Sequence, residues 1–340
     1  MKEADFYEKS QDNTKTTVQC HLCCHKCIIK NNKRGICHVR ENRDGKLISL
    51  VYGRLVSENI DPIEKKPLFH VLPRSLSYSI STVGCNFRCK HCQNYQISQY
   101  PRIYGGEVAG SRTTPSQVVS AAAEHSCKSI SYTYVEPTIF FEFAYDTAII
   151  ARDAGIKNIF VSNGYTSPEA IKKIAPFLDA NNIDLKAFTE KFYREVCGAK
   201  LAPVLESIRL SKELGVWVEV TTLVIPGWND STEELKGIAK FLVSIDRNIP
   251  WHVTRFHPTF EMTDRNMTPA DTLRKARNIG LEAGLKYVYT GNIPGEEGES
   301  TFCHKCGKKI IERTGFFAET PGLINGRCEF CKEKIAGIWE

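Results

Sequence analysis

The run GCNFRCKHCQN, from Gly84 to Asn94, sets Cys85, Cys89 and Cys92 at the spacing Cys-x3-Cys-x2-Cys. Thiolates this close in sequence can hold three corners of a 4Fe-4S cluster. A ferredoxin closes its cluster with a fourth cysteine and only passes electrons. A cluster with one iron left open can bind a substrate. The competing readings are a zinc knuckle, which usually takes two Cys pairs, and buried free thiols.

Two further groups of cysteines flank this loop. Cys303-x2-Cys306-x21-Cys328-x2-Cys331 supplies four thiolates from two knuckles, the signal of a zinc ribbon. The segment between them, KKIIERTGFFAE, alternates as strands do. A rubredoxin-like iron site is the alternative. Near the N-terminus Cys20, Cys23, Cys27 and Cys37 make a third set, with Cys24 spare. Zinc and an auxiliary 4Fe-4S cluster both suit it. Its neighbours His21, His25 and Lys26 are polar and offer little apolar cover, which leans the reading toward zinc. Cys127 and Cys197 stand alone in the sequence.

Fourteen cysteines in a chain whose start lacks the apolar core of a signal peptide read as metal ligands in a reducing, cytoplasmic and anaerobic setting, not as disulfides. No apolar run is long enough to span a membrane. The net charge of +6 comes without a long Lys/Arg block, so nucleic acid is not implied as a partner.

These ligands need a frame. The first 19 residues are polar and read as disordered, and a short β pattern follows at Leu47–Tyr52. From Ser77 a strand-then-helix rhythm sets in. Strands are expected at Ser77–Val83, Ser129–Val135, Lys157–Ser162, Asn182–Leu185, Val216–Ile225 and Trp251–Phe256. Helices are expected at Ser116–Glu124, Thr138–Ala154, Pro168–Leu178, Leu201–Leu214 and Thr232–Ser244. Thr114, Ser167 and Ser231 carry helix-start chemistry, and Gly155, Gly215 and Gly284 stand where left-handed caps would be needed. Six such units imply an α/β fold with a parallel sheet, curved into a partial, open-sided (β/α)6 barrel. Chemistry in such a fold gathers at the C-terminal strand ends. Cys85, Glu136, Asn163, Asp184, Lys186 and the Ile225-Pro226-Gly227 turn all follow strands. PGEEGES at 294–300 reads as a linker. The expected division is 1–76 for the Cys-rich module, 77–295 for the barrel and 296–340 for the ribbon.

With motif and fold in agreement, the chain resembles the radical S-adenosylmethionine (SAM) enzymes, and among them the relatives of the pyruvate formate-lyase activating enzymes. The resemblance implies a radical SAM barrel. The open iron of its cluster would chelate the amino and carboxylate groups of SAM, and an electron would then cleave a carbon–sulfur bond. The family's Gly-Gly-Glu stretch, which grips the SAM amino group, corresponds to Tyr134-Val135-Glu136, so the glutamate matches and the glycines do not. VSNGY at 161–165 places Asn163 toward the ribose or carboxylate of SAM, without the acid those relatives often carry just before it. The motif Asp184-Leu185-Lys186 matches a family DLK. Lys186 would neutralise the SAM carboxylate and Asp184 would orient it, and a structural ion pair is the bland alternative. IPGWND at 225–230 corresponds to a turn near adenine. His91 is expected to pack beside the cluster, and His257 is expected to be a packed or hydrogen-bonded residue.

The whole pattern is narrower still. CHLCCHKC, RGICHVREN, DPIEKKPLFH, GCNFRCKHCQN, YTYVEPT, IDLKAF and the terminal AGIWE resemble the radical SAM enzyme family of the AmmeMemoRadiSam system. That implies association with Memo-type and AMMECR1-type proteins and an electron donor such as ferredoxin or flavodoxin, on an unidentified substrate. Two other functions stay open at this point: an activase that makes a glycyl radical on a partner, and a non-enzymatic iron–sulfur and zinc scaffold that senses redox state or binds RNA. A scaffold would have no use for Glu136, Asn163 and Lys186 at successive strand ends.

Overall fold

The computed structural model describes residues 1–9, 16–293 and 295–340. Its centre is an eight-stranded sheet: β1 (Ser57–Pro62), β2 (Leu76–Ser81), β3 (Ser129–Tyr132), β4 (Lys157–Ser162), β5 (Ala180–Asp184), β6 (Trp217–Val224), β7 (Trp251–Arg255) and β8 (Val288–Gly291). Each strand pairs with the next in sequence. Only β1 runs antiparallel, beside β2, and the seven others are parallel. The two edges are β1 and β8, so the barrel is partial. The six expected strands are present, and β8 adds a seventh parallel one.

Six helices cover the outside: α1 (Pro115–Glu124), α2 (Phe141–Asp153), α3 (Pro168–Ile174), α4 (Ala202–Glu213), α5 (Thr232–Ile245) and α6 (Ala270–Ala283). The start signals act as expected. Thr114 forms a capping box with Gln117, and Ser167 and Ser231 accept from the backbone N–H groups of Ala170 and Glu234. Gly284 closes α6 in the left-handed region. Among the described residues no helix is long and apolar enough to cross a membrane.

The segments outside the barrel are bound to it rather than loose. Lys2–Glu3 pairs with the Lys46–Ser49 strand, and Tyr7–Lys9 pairs with Val18–Cys20. The disorder expected at the start of the chain is therefore not found at these residues, and 10–15 lie outside the described ones. Long-range strand pairing orders a stretch whose own composition is polar. Residues 63–71 plug the N-terminal mouth of the barrel: Ile63, Leu68 and Val71 pack on Ile159 and Ala180. The carboxylate of Glu219, near the start of β6, accepts the backbone N–H groups of Phe69 and His70 at 3.0 and 2.8 Å. The stretch read as a linker is also packed. Gly298, Glu299 and Ser300 are buried, and Glu299 accepts from the N–H of Gly315; Pro294 lies outside the described residues. The last module is a sheet of Thr301–Phe302, Lys309–Thr314 and Phe317–Glu319. His70 ties it to the barrel, with Nδ1 2.6 Å from the carbonyl of Ala336 and Nε2 2.6 Å from the hydroxyl of Tyr289.

Candidate functional site

The loop after β2 carries Cys85, Cys89 and Cys92 at the C-terminal end of the sheet. Its entry requires glycine. Gly84 has φ +97°, and a Cβ there would meet Val39 Cγ1 at 2.7 Å and the carbonyl oxygen of Cys37 at 2.9 Å. The loop is then strapped on three sides. Gly84 N–H donates to the carbonyl of Ile97, and the N–H groups of Arg88 and Lys90 donate to the carbonyls of Cys197 and Val196 at 3.0 Å. Arg102 and Gln99 both donate to the carbonyl of Phe87. Main-chain anchoring of this density holds the thiols in place without using their sulfurs.

Around the thiols the strand ends converge. Glu136, after β3, is buried. Its Oε1 accepts from Thr138 Oγ1 at 2.6 Å, Thr138 N–H and Ser162 Oγ, and its Oε2 accepts from Asn163 N–H at 2.7 Å. Burial raises its pKa, and those hydrogen bonds oppose the rise. Most of the carboxylate is thus committed to joining the ends of β3 and β4, and Oε2 keeps a lone pair. Asn163 donates from Nδ2 to Asn86 Oδ1 at 2.8 Å and lies 3.9 Å from Cys85 Sγ. Asn86, beside Cys85, has a buried Nδ2 with no partner. Asn94, just past Cys92, donates to the carbonyl of Tyr134 at 2.9 Å.

On the far side, Lys186 Nζ lies 2.7 Å from Asp184 Oδ2. Burial alone would lower the lysine pKa, but Asp184, Cys89 and Cys197 hold it charged, well above its usual range. The backbone here is held by Asn229 of the IPGWND turn, whose Nδ2 donates to the carbonyl of Lys186 at 2.6 Å. Trp228 of that turn packs edge-on against Phe192. His91 is buried next to Phe192. Burial first, and then Lys186, push its pKa down to about 3, so it is a neutral packing residue. His257 is exposed.

Glu136, Asn163, Asp184 and Lys186 therefore all stand around the cysteine loop, in two groups: the first pair beside Cys85 and the second beside Cys89. Sequence reasoning marked the IPGWND turn without singling out Asn229, and it did not find Asn86, Asn94 or Cys197. Cys197 is fully buried and within hydrogen-bonding reach of Cys89, although it stands alone in the sequence. An asparagine directly after a cysteine ligand was the only available signal, and it applies to Asn86 and not to Cys197. The donor set fits a cluster that carries a zwitterionic ligand: three thiols in one loop, a fixed cation, a carboxylate and an unpartnered buried amide.

The ribbon thiols are gathered differently. The Sγ atoms of Cys303, Cys306, Cys328 and Cys331 all lie within 4.8 Å of one another. Two of the contacts are 3.6 and 3.7 Å. Tetrahedral zinc with Zn–S bonds of about 2.3 Å sets its sulfurs about 3.8 Å apart. Among the described residues no other three or more thiol, imidazole or carboxylate ligands gather so closely.

Comparison with known proteins agrees with this geometry. Residues 79–242 match the profile of the Radical SAM superfamily. An uncharacterized protein of Methanocaldococcus jannaschii is 48% identical over 338 residues, which covers 98% of this chain and 99% of that one. A second protein of that organism, named as a candidate glycyl-radical enzyme activating enzyme, is 26% identical over 70% of this chain and 87% of its own. Among solved structures, a radical SAM methyltransferase from Sphaerobacter thermophilus superposes with a TM-score of 0.51 at 15% identity, covering 65% of this chain and 68% of that one. Streptococcus suis SuiB bound to S-adenosylmethionine gives 0.51 at 13% identity, covering 68% and 53%. At these identities the two structures speak for the fold.

Proposed function

The chain belongs to the radical SAM superfamily, and on that premise we propose that Cys85, Cys89 and Cys92 hold a 4Fe-4S cluster with one iron open to SAM, which starts radical chemistry on an unidentified substrate. The observation that carries this reading is the convergence of three separate strand ends on one cysteine loop. SAM bound at a reduced cluster supplies a carbon-centred radical by cleavage of a carbon–sulfur bond.

The chain's own residues bind and orient. Lys186 offers its cation to the SAM carboxylate, and Asp184 fixes the direction of that cation. The remaining lone pair on Glu136 Oε2 and the carbonyl of Val135 suit an ammonium, while Asn163 and the free amide of Asn86 suit carboxylate or hydroxyl oxygens. Burial of Glu136, Asn163 and His91 keeps water from the reacting atoms. Cys303, Cys306, Cys328 and Cys331 hold zinc in a closed site that leaves no position for substrate.

The finer reading is an enzyme of the AmmeMemoRadiSam system, supported by the motifs CHLCCHKC, DPIEKKPLFH and AGIWE. Memo-type and AMMECR1-type proteins would be its partners and a reduced ferredoxin or flavodoxin its electron donor. A glycyl-radical activase is the second reading, favoured by the similarity to the candidate activating enzyme. Anaerobic reconstitution with SAM and dithionite, followed by mass spectrometry of nucleoside products, tests the central claim. Wild type should release 5'-deoxyadenosine or another SAM fragment, and Cys89→Ala should lose the iron held by the Cys85 loop, about 4 per chain, together with cleavage. Normal cleavage by Cys89→Ala would sink the reading. Adding cell extract then separates the two finer readings: a glycyl radical on a protein marks the activase, and a modified small molecule or other product marks the alternative.

A further inference from the structure

The N-terminal cysteines belong to a site that the sequence leaves half-described. Cys20, Cys23, Cys27 and Cys37 line one small cavity. Its wall is apolar. Leu22 and Ile29 come from the module itself, and Ile139 comes from the barrel, in the turn Pro137–Phe140 that leads into α2; all three are at most 2% exposed. The shelter that the local sequence seemed to lack is supplied across the interface. Among the described residues the thiols do not gather as closely as the ribbon's four, whose sulfurs all lie within 4.8 Å of one another. A mononuclear zinc draws its four sulfurs to about 3.8 Å from one another, whereas a cubane gives each thiolate its own iron and keeps the sulfurs further apart.

A second observation points to an occupant. Arg40 also lines the cavity and is 2% exposed. Its Nη2 is used, 2.9 Å from Glu142 Oε1 and 2.6 Å from the carbonyl of Asp5, but its Nε and Nη1 have no partner. A buried guanidinium with idle donors is costly unless something accepts from it. The thiolates and inorganic sulfides of a cluster are such acceptors, and their net negative charge faces a fixed cation.

From this geometry we propose that Cys20, Cys23, Cys27 and Cys37 bind a second 4Fe-4S cluster, coordinatively closed and hydrogen-bonded by Arg40. It would stand against the catalytic wall. Cys23 bridges to Thr166, whose Oγ1 lies 2.5 Å from Thr138 Oγ1, the donor to Glu136. The carbonyl of Cys37 faces Gly84, the neighbour of Cys85. The claim does not depend on the radical SAM loop, and its test separates the two. Iron, sulfide and zinc are counted per chain after anaerobic reconstitution of the full-length protein. Two clusters and the ribbon give about 8 iron, about 8 sulfide and about 1 zinc. About 4 iron with about 2 zinc, or about 4 iron with 1 zinc, would overturn the proposal. The same count on the variant C85A/C89A/C92A should leave about 4 iron and the brown thiolate-to-iron absorbance. Total loss of iron there overturns the second cluster, and full retention of 8 overturns the first. The pair C23S/C37S should keep about 4 iron at the Cys85 loop; a variant that still holds 8 refutes the ligand assignment.

Discussion

Replacing Lys186 by Met removes the one cation that the described residues set beside Asp184 and Cys89, and keeps most of the side-chain volume. Lys186 is mostly sheltered, with its side chain 15% exposed, while Asp184 is 35% exposed. If the ammonium pairs with the SAM carboxylate, the variant loses that attraction and leaves Asp184 facing an anion of like sign. Truncating one partner of a fully buried, hydrogen-bonded charge pair costs about 2–5 kcal/mol. Partial exposure of Asp184 argues for the low end, since solvent screens it. The expected loss is about 2 kcal/mol, or about 30-fold in the Kd for SAM. The assay is anaerobic equilibrium dialysis of SAM against reconstituted protein, with iron content and circular dichroism measured on the same samples. Iron should be unchanged, because Lys186 supplies no ligand to it. A double variant sharpens the reasoning. Were Lys186 present only to neutralise Asp184, then Asp184→Asn together with Lys186→Met would restore wild-type affinity. A single variant that binds SAM within about two-fold of wild type, with iron and fold intact, would refute the role assigned to the lysine.

Three further outcomes are expected. Gly84→Ala forces a Cβ onto Val39 and the Cys37 carbonyl at positive φ, so the variant should lose about 2 kcal/mol or more in chemical denaturation and reconstitute with less iron. His70, fully buried, has its pKa lowered to about 4 by burial, opposed by Glu219. The unfolded chain protonates it near 6.5 while the folded one does not, so stability falls as pH drops from about 6.5 to about 4, by about 1.4 kcal/mol per unit, and His70→Gln should flatten that slope in urea titrations. Cys328→Ser should release about one zinc per chain and open residues 301–335 to limited proteolysis, while iron content and SAM cleavage without substrate persist.

The barrel was legible because each of its strands carries a signal within its own length. Lys157–Ser162 is a β-branched and aromatic run with matching ends in sequence and structure, and Thr114, Ser167 and Ser231 announce helices that begin one residue later. The strand β3 ends before the expected Val135 because Tyr134 turns into the left-handed region. What was not legible depends on partners far along the chain. The strand β1, SENIDP, has no apolar alternation and exists as the edge partner of β2. Val288–Gly291 is likewise an edge strand, held by its pairing with β7. Cys197 meets Cys89 only because the loop at 88–90 is hydrogen-bonded to 196–197. The two sites differ in the same way. Ligand spacing in Cys85–Cys92 and in the ribbon is local, whereas the apolar wall of the N-terminal cysteines comes partly from Ile139.

One departure from the resemblance is resolved by the fold. Tyr134 stands where the resemblance to activating enzymes leads one to expect glycine, and it holds φ +64°. That conformation costs a non-glycine residue about 1–2 kcal/mol. The side chain offsets the cost. Its hydroxyl donates to Asp61, its ring lies 4.6 Å under Lys66 Nζ, and Lys66 pairs with the same aspartate at 2.5 Å. Burial lowers the lysine pKa to about 8 against the opposing pull of Asp61, and hydrogen bonds from Lys65, Lys66 and Tyr134 hold Asp61 below the usual carboxylate range against its burial. Asn94 of the cysteine loop grips the other end of Tyr134 through its carbonyl. A single strained residue thereby links the loop of Cys92 to the Asp61–Lys66 segment that plugs the barrel. A glycine could adopt the backbone turn but could not make that link. The motif DPIEKKPLFH and the tyrosine at 134 are thus two halves of one contact, and each accounts for the presence of the other.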